Sequence, residues 1–356
     1  MTRPKIGLCL TGGGVTGAMY QIGVLAALED LVPGLTATGF DVYVGVASGG
    51  SLAAALAGGA PVQRLYRTFL DPADDYFPLQ RRHLLETDLD EWRRTIASAF
   101  AAIRHGSSSL FSKPPTPGHL WEQLDRFYDS LPAGLFTLDG YEHLLEDCFL
   151  RRGIPNAFGA MPHVLRIPAY DLDSGERVVF GGEGWADVPV ARACAATLAL
   201  PLFYSPVRIA DRHFISGAVG AVAHVDVALA AGADLVIVVN PLVALRNEGG
   251  VPTGHGRRPS LRDKGMMWVY DQANRIAASR RFEERIGLLG DAASRVLVVA
   301  PRPEDATLFL ANPASLKNRR VILEDAYRTA KPLLASLLAK DGFAERAGFT
   351  LSGATA

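Results

Sequence analysis

Hydrophobic positions along this chain change rhythm several times, and each change marks an element. Ile6-Gly7-Leu8-Cys9-Leu10 is a short unbroken apolar run, the pattern of a strand covered on both faces. Residues 15–31 then take up helical spacing, residues 41–46 read as a second buried strand, and residues 48–58 read as a second helix. Strand-helix alternation of this kind predicts a parallel sheet with helices on both faces. From Pro61 to about Gly153 the β-branched runs disappear. Trp92, Ile96, Phe100 and Ile103 recur there at helical spacing, and a Ser/Pro/Gly-rich piece from Gly106 to Gly118 interrupts them. Residues 61–153 are therefore expected to form a helical insertion or cap that packs its apolar stripe on the core, with a lid or membrane-facing helix as the sharper alternative.

Strands resume at 163–170 and 177–180, joined by the turn Asp171-Leu172-Asp173-Ser174-Gly175. A helix over 188–198 follows, then strands at 205–209 and 212–215, a helix near 224–231 and the buried strand Leu235-Val236-Ile237-Val238-Val239. Residues 246–261 read as a loop, and helices at 264–288 and 316–340 flank a strand at 295–300. One α/β unit is expected over 1–342, with 343–356 as a flexible tail.

Two glycine corners carry the candidate chemistry. Gly12-Gly13-Gly14-Val15-Thr16-Gly17 turns the first strand into the first helix, which bares N–H groups where the helix dipole also favours negative charge. Such a turn suits a phosphate or a developing oxyanion. Val44-Gly45-Val46-Ala47-Ser48-Gly49-Gly50 turns the second strand into the second helix and ends in small residues and a serine, the outline of a nucleophile elbow. A dinucleotide site would want an acidic residue at the end of that second strand, and a P-loop would want a closing Gly-Lys-Ser/Thr; neither is present. One oxyanion loop and one elbow together point to acyl transfer, and nucleotide binding is a minor alternative.

Composition narrows the partners. The 356 residues are 49% hydrophobic and 21% charged with a formal net charge of −1, so no global field steers the chain toward nucleic acid. Cys9, Cys148 and Cys194 form neither a disulfide framework nor a zinc pattern, and no metal site or cofactor is expected. Unpaired thiols and a short apolar start suggest a cytoplasmic protein. The most apolar long segment, 218–245, is interrupted by His224, Asp226 and Asp234, so any membrane contact is expected to be peripheral.

The chain resembles the patatin-like phospholipases from Lys5 to about Pro241. The resemblance rests on the loop Gly12–Gly17, the elbow Gly45–Gly50, the Tyr170–Gly175 turn, the helix start Ala191-Arg192-Ala193-Cys194-Ala195-Ala196 leading to Leu200-Pro201-Leu202-Phe203, and Phe214-Ile215-Ser216-Gly217-Ala218. It implies a three-layer α/β/α sandwich with a mainly parallel central sheet and hydrolysis of lipid acyl esters by a Ser/Asp dyad. The oxyanion would be held by N–H groups of Gly12, Gly13, Gly14 and Gly17. Both dyad positions depart from the pattern: Ala47 stands at the nucleophile position, Ser216 at the acid position, and Thr16 where the loop usually carries Lys or Arg.

Lipolysis is then expected to be weak, re-routed through Ser48, or lost, with a lipid- or acyl-chain-binding sensor or scaffold as the alternative. Ser48 reads either as a displaced nucleophile or as a helix N-cap, and Ser51 lies deeper in the same helix. A side chain at 48 should point about 100° round the axis from one at 47. Ser216 reads as a turn residue. His224 and Asp226 read as polar residues of a helix start or an improvised base, Asp171 and Asp173 as turn residues, and His213 as a surface or satisfied core histidine.

Overall fold

A computed structural model of the chain describes residues 3–71, 73–87, 92, 93, 95, 131–247, 260–310 and 318–352. Ile96, Phe100, Ile103, the Gly106–Gly118 break and most of the expected 246–261 loop lie outside the described residues.

The strand-helix alternation at the start forms β1 (Ile6–Leu10), α1 (Gly14–Leu31), β2 (Val42–Gly45) and α2 (Ser48–Ala57). There follow α3 (Val62–Leu70), α4 (Arg81–Leu84), β3 (Gly134–Phe136), α5 (Asp139–Arg152), β4 (Val164–Asp171), β5 (Arg177–Phe180) and α6 (Val190–Leu198). The rest comprises β6 (Leu202–Tyr204), β7 (Val207–Ile209), β8 (Arg212–Ser216), α7 (Val225–Ala230), β9 (Leu235–Val239), α8 (Met266–Gly287), β10 (Val296–Val299), α9 (Ala306–Leu310), α10 (Arg319–Ala339) and α11 (Phe343–Ala347).

The main sheet runs β10-β9-β1-β2-β4-β8-β7, with β5 on the other edge of β4. β10, β9, β1, β2 and β4 are mutually parallel, whereas β5, β8 and β7 join antiparallel. Side chains alternate between two apolar layers because successive strand residues point to opposite faces. Leu8, Leu10, Tyr43, Ile237 and Val239 enter the layer that holds α1, α2, α5, α6 and α10. Cys9, Val42, Val44, Val236 and Val238 enter the layer that holds α7 and part of α8. The result is the expected α/β sandwich: helices, a mostly parallel sheet, helices.

Three departures have local causes. β3 and β6 form a separate two-stranded parallel pair, Gly134↔Leu202 and Phe136↔Tyr204, where a helical cap and a loop were expected. Each strand has only three residues, too few for a period to show. Glycine permits the approach, since a methyl on Gly134 would collide with the Tyr204–Ser205 backbone. The third departure is at the end of the chain. Residues 343–352 are held rather than frayed, with Phe343, Ala344 and Ala347 buried in α11, and Ser352 donating its N–H and hydroxyl to the Leu31 carbonyl at 2.8 and 2.9 Å.

α1 and α10 make the closest helix pair. A methyl on Gly23 would lie 2.7 Å from Ala326 Cβ and 2.8 Å from the Leu323 carbonyl oxygen. Gly23→Val is expected to lower stability by about 2–3 kcal/mol, because neither a neighbouring Cβ nor a backbone carbonyl can yield. Urea unfolding at constant m-value measures it.

Candidate active site

β1, β2 and β9 lie side by side with Leu10 opposite both Gly45 and Val239, so the loops that leave their carboxyl ends are neighbours. That end of a parallel sheet is where ligands bind in open α/β folds. The Val46 N–H donates to the Leu10 carbonyl at 3.0 Å, and the Thr11 N–H donates to the Val239 carbonyl at 3.3 Å. Antiparallel β8 runs back along β4 to Ser216, opposite Ala169, and delivers Gly217 against Pro168 and Val46.

The glycine loop and the elbow do face each other. A methyl placed on Gly12 would lie 3.1 Å from Ala47 Cβ, 3.5 Å from Leu242 Cδ1 and 3.9 Å from Ala218 Cβ. Residue 47, the first loop and the segment after Ser216 thus converge on one point. Ala47 has φ 50° and ψ −127°, a conformation that costs about 1–3 kcal/mol in a residue with a Cβ and persists only when its surroundings impose it. They do so here. The Ala47 N–H donates to Thr197 Oγ1 at 3.1 Å, and the Thr197 hydroxyl donates to the Pro168 carbonyl at 2.6 Å. The Gly50 N–H donates to the Ala47 carbonyl at 3.0 Å, and the Gly49 N–H to the Val46 carbonyl at 2.9 Å. Thr197 is fully buried and was not singled out from the sequence, although it is a lone polar residue in the run Ala193–Leu200.

On the loop side, Gly13 (φ 116°) and Gly14 (φ 62°) take left-handed conformations. Gly17 donates its N–H to the Gly13 carbonyl at 3.0 Å, inside the turn. Among the described residues no acceptor engages the N–H groups of Gly12, Gly13 or Gly14. Gln21 Nε2 donates to the Thr11 carbonyl at 2.5 Å and Thr11 Oγ1 donates to Asn240 Oδ1 at 3.1 Å, pinning the loop to the end of β9.

Ser48 is the first residue of α2, not its N-cap; Ala47 holds that position and no side chain caps the helix. The Ser48 hydroxyl oxygen is buried and has no hydrogen-bond partner. Ser51 accepts a hydrogen bond from Tyr141 at 2.8 Å and belongs to the packing of α2 on α5. Ser216 is fully buried; its Oγ accepts the Ala218 N–H at 3.3 Å, and its own N–H donates to the Ala199 carbonyl at 2.8 Å.

His224 is not placed to act as a base. It is buried at φ 46°, with Nε2 3.0 Å from the Gly217 carbonyl and Nδ1 3.3 Å from Arg177 Nη1. A carbonyl accepts and a guanidinium donates, so the network assigns the proton to Nε2 and leaves Nδ1 as acceptor. Burial pushes its pKa down to about 4, with the Arg177 charge adding to the shift and the Gly217 bond opposing it. Asp226 is paired with Arg177 at 2.7 Å. Burial alone would raise the Asp226 carboxyl, but Arg177 outweighs it and holds the group below the ordinary range. His224 also lines a cavity of about 180 Å³ with Ala221, Val222, Phe282, Ile286 and Leu289, on the side of the Gly217 segment that carries α7 and α8.

Asp171 serves its own turn. Its Oδ1 accepts the Asp173 and Ser174 N–H groups at 3.0 and 3.3 Å, and Oδ2 pairs with Arg212 at 3.3 Å. His213 is exposed on β8. Cys9, Cys148 and Cys194 are buried and free. Among the described residues no group of three or more His, Cys, Asp or Glu is arranged to hold a metal ion, and no helix is long and apolar enough to cross a membrane.

The profile of the patatin-like phospholipases matches residues 8–229, the span that contains both corners, Thr197 and Ser216. The chain belongs to the patatin-like phospholipase family. No curated protein matches it in sequence. Among solved structures, VipD from Legionella pneumophila is similar at 14% identity and TM-score 0.40, over 94% of this chain and 67% of VipD. The type III effector protein ExoU is similar at 14% identity and TM-score 0.40, over 95% of this chain and 54% of ExoU. ExoU of Pseudomonas aeruginosa in complex with SpcU gives 15% identity, TM-score 0.39, and coverage of 95% and 53%. The patatin-like chain thus spans about half the length of ExoU.

The neutral, buried state of His224 makes stability pH-dependent. Its folded pKa of about 4 lies below the ordinary 6.5, so the unfolded chain takes up a proton that the folded one refuses. The contribution is fully present above pH 6.5 and is lost as pH falls toward 4. Between pH 7.5 and 5 this site is expected to remove about 2 kcal/mol of unfolding free energy. Urea titrations of the wild type and His224→Gln should show a shallower pH slope in the variant.

Proposed function

We propose that this patatin-like chain holds a lipid or acyl ester in its ancestral-type cleft and has lost, or nearly lost, the ability to hydrolyse it, acting as a sensor or scaffold without a cofactor. One observation carries the reading: Ala47, and not Ser48, occupies the strained corner whose Cβ points at the glycine loop. A methyl group offers no electron pair to a carbonyl carbon. Ser216, at the position the family resemblance assigns to the acid, is a neutral hydroxyl engaged with the Ala218 N–H and cannot take up a proton as a carboxylate does. The free N–H groups of Gly12, Gly13 and Gly14 would still receive a carbonyl or phosphoryl oxygen.

Re-routing through Ser48 is the second reading. It would use a serine hydroxyl that no base touches, since its oxygen is buried without a partner. It would also use a side chain on the first residue of α2 rather than the one at the corner that faces the loop. A displacement of about 1 Å already costs roughly a hundredfold in rate. Cytoplasmic residence at a lipid surface fits three free thiols and an apolar ligand.

The wild type is expected to leave a fluorophosphonate probe unreacted and to hydrolyse a short nitrophenyl ester at background rate. Ala47→Ser with Ser216→Asp is expected to raise that hydrolysis about a hundredfold or more, with probe labelling at residue 47. Labelling of Ser48 in the wild type, with ester turnover abolished by Ser48→Ala, would overturn the loss of catalysis. A folded double variant that neither reacts nor turns over would overturn the intact cleft.

A further inference from the structure

We propose that the outer face of α8 is a docking surface for an anionic phospholipid bilayer, which brings the cleft of the lipid-binding reading above to its ligand. The inner face of α8 is bound to the segment that walls the glycine loop. Gln272 exchanges two hydrogen bonds with Leu245 at 3.1 and 2.8 Å, Arg275 Nη1 donates to the Pro241 carbonyl at 3.0 Å, and the Ser279 hydroxyl oxygen accepts the Ala244 N–H at 3.2 Å. Pro241 and Leu242 are the residues that border Gly13 and Gly12.

The outer face is apolar where solvent would favour charge. Met266, Val269, Ala273 and Ile276 follow at spacings of three and four, and so form one stripe; Met266 is 76% exposed, and Val269 and Ile276 are each 49% exposed. Leu202, 48% exposed, extends the apolar surface through the neighbouring loop, where Tyr270 donates to the Pro201 carbonyl at 3.3 Å and packs on Phe203.

The charges at its edge select the occupant. Arg262 and Lys264 precede the stripe on either side of Asp263, Arg280 at its far end is paired with Glu283 at 3.2 Å, and Asp271 is paired with Arg275 at 2.7 Å, which leaves the net positive charge at the Arg262–Lys264 end. The Lys264 ammonium lies 3.9 Å from the centre of the Trp268 ring, an aromatic-cation pair of the kind that sits at a headgroup layer. An apolar helical stripe with net positive charge and an aromatic-cation pair at one end matches an anionic lipid surface better than an aqueous one.

Sedimentation with vesicles of phosphatidylcholine containing about 30% phosphatidylglycerol tests this. The wild type is expected to bind them and to bind pure phosphatidylcholine more weakly. Met266→Glu with Ile276→Glu should lower the affinity at least about tenfold, and Lys264→Glu about fivefold, with unchanged thermal unfolding. Met266→Glu alone, at the most exposed position, serves if the double variant folds poorly. Undiminished binding by these variants, or no binding by the wild type, would overturn the docking surface. So would loss of a dimer in the variants without any wild-type vesicle binding, which would make the stripe a contact between copies. The cleft is judged separately, because nitrophenyl ester hydrolysis by the Ala47→Ser, Ser216→Asp protein needs no bilayer.

Discussion

Everything at the two glycine corners depends on how closely the first turn of α2 approaches the ends of β1 and β2. A Cβ at Gly49 would strike the Leu10 and Thr11 carbonyls. One at Gly45 would lie 2.7 Å from both Gly50 Cα and Ala53 Cβ, and one at Gly50 would lie 2.7 Å from Thr197 Cγ2. Only backbone fits in that space. With helix and strand pressed together, the chain between them has to reverse within Val46 and Ala47, and the positive φ of Ala47 is the consequence. The same approach presents residue 47 to Gly12. The buried Thr197 hydroxyl keeps the corner closed by joining the Ala47 N–H to the β4 backbone.

The fold was legible where the chemistry is local. Continuous apolar runs marked β1, β2 and β9, and glycine clusters at 12–14 and 45–50 marked turns whose geometry only glycine allows. What the sequence withheld is set by partners far along the chain. β3 and β6 exist because Gly134 meets Tyr204, and neither three-residue strand carries a readable period. The last segment was expected to be flexible from its place at the end of the chain, which says nothing of the burial of Phe343 or the bonds from Ser352 to Asp30 and Leu31.

The site was half legible for the same reason. Gly12, Gly13 and Gly14 were legible through the tight turn they make, and Ala47 only through the family resemblance of its elbow. Thr197, a single polar residue inside an apolar run, and Asn240, at the end of one, hold the elbow and the loop, and only their distant partners reveal what they do. His224 and Asp226 were left with two readings, polar residues of a helix start or an improvised base. A histidine and an aspartate two residues apart suggest a base, yet the first is locked neutral beneath Gly217 and the second belongs to Arg177.

The backbone geometry of the two corners and the side chains at 47 and 216 are physically separable in this protein. None of the hydrogen bonds that fold the elbow uses the side chain at 47: they run through the N–H and carbonyl of Ala47, the glycines and Thr197. At 216 the hydroxyl takes the Ala218 N–H, so the turn is stabilised without a carboxylate. A strained corner is therefore no measure of catalysis in itself, because packing imposes it whether or not an attacking oxygen sits at its tip. The N–H groups of the glycine loop are likewise a product of the backbone, set by the left-handed Gly13 and Gly14. The geometry of both corners thus lives in the main chain, which the fold maintains whatever side chains stand at 47 and 216.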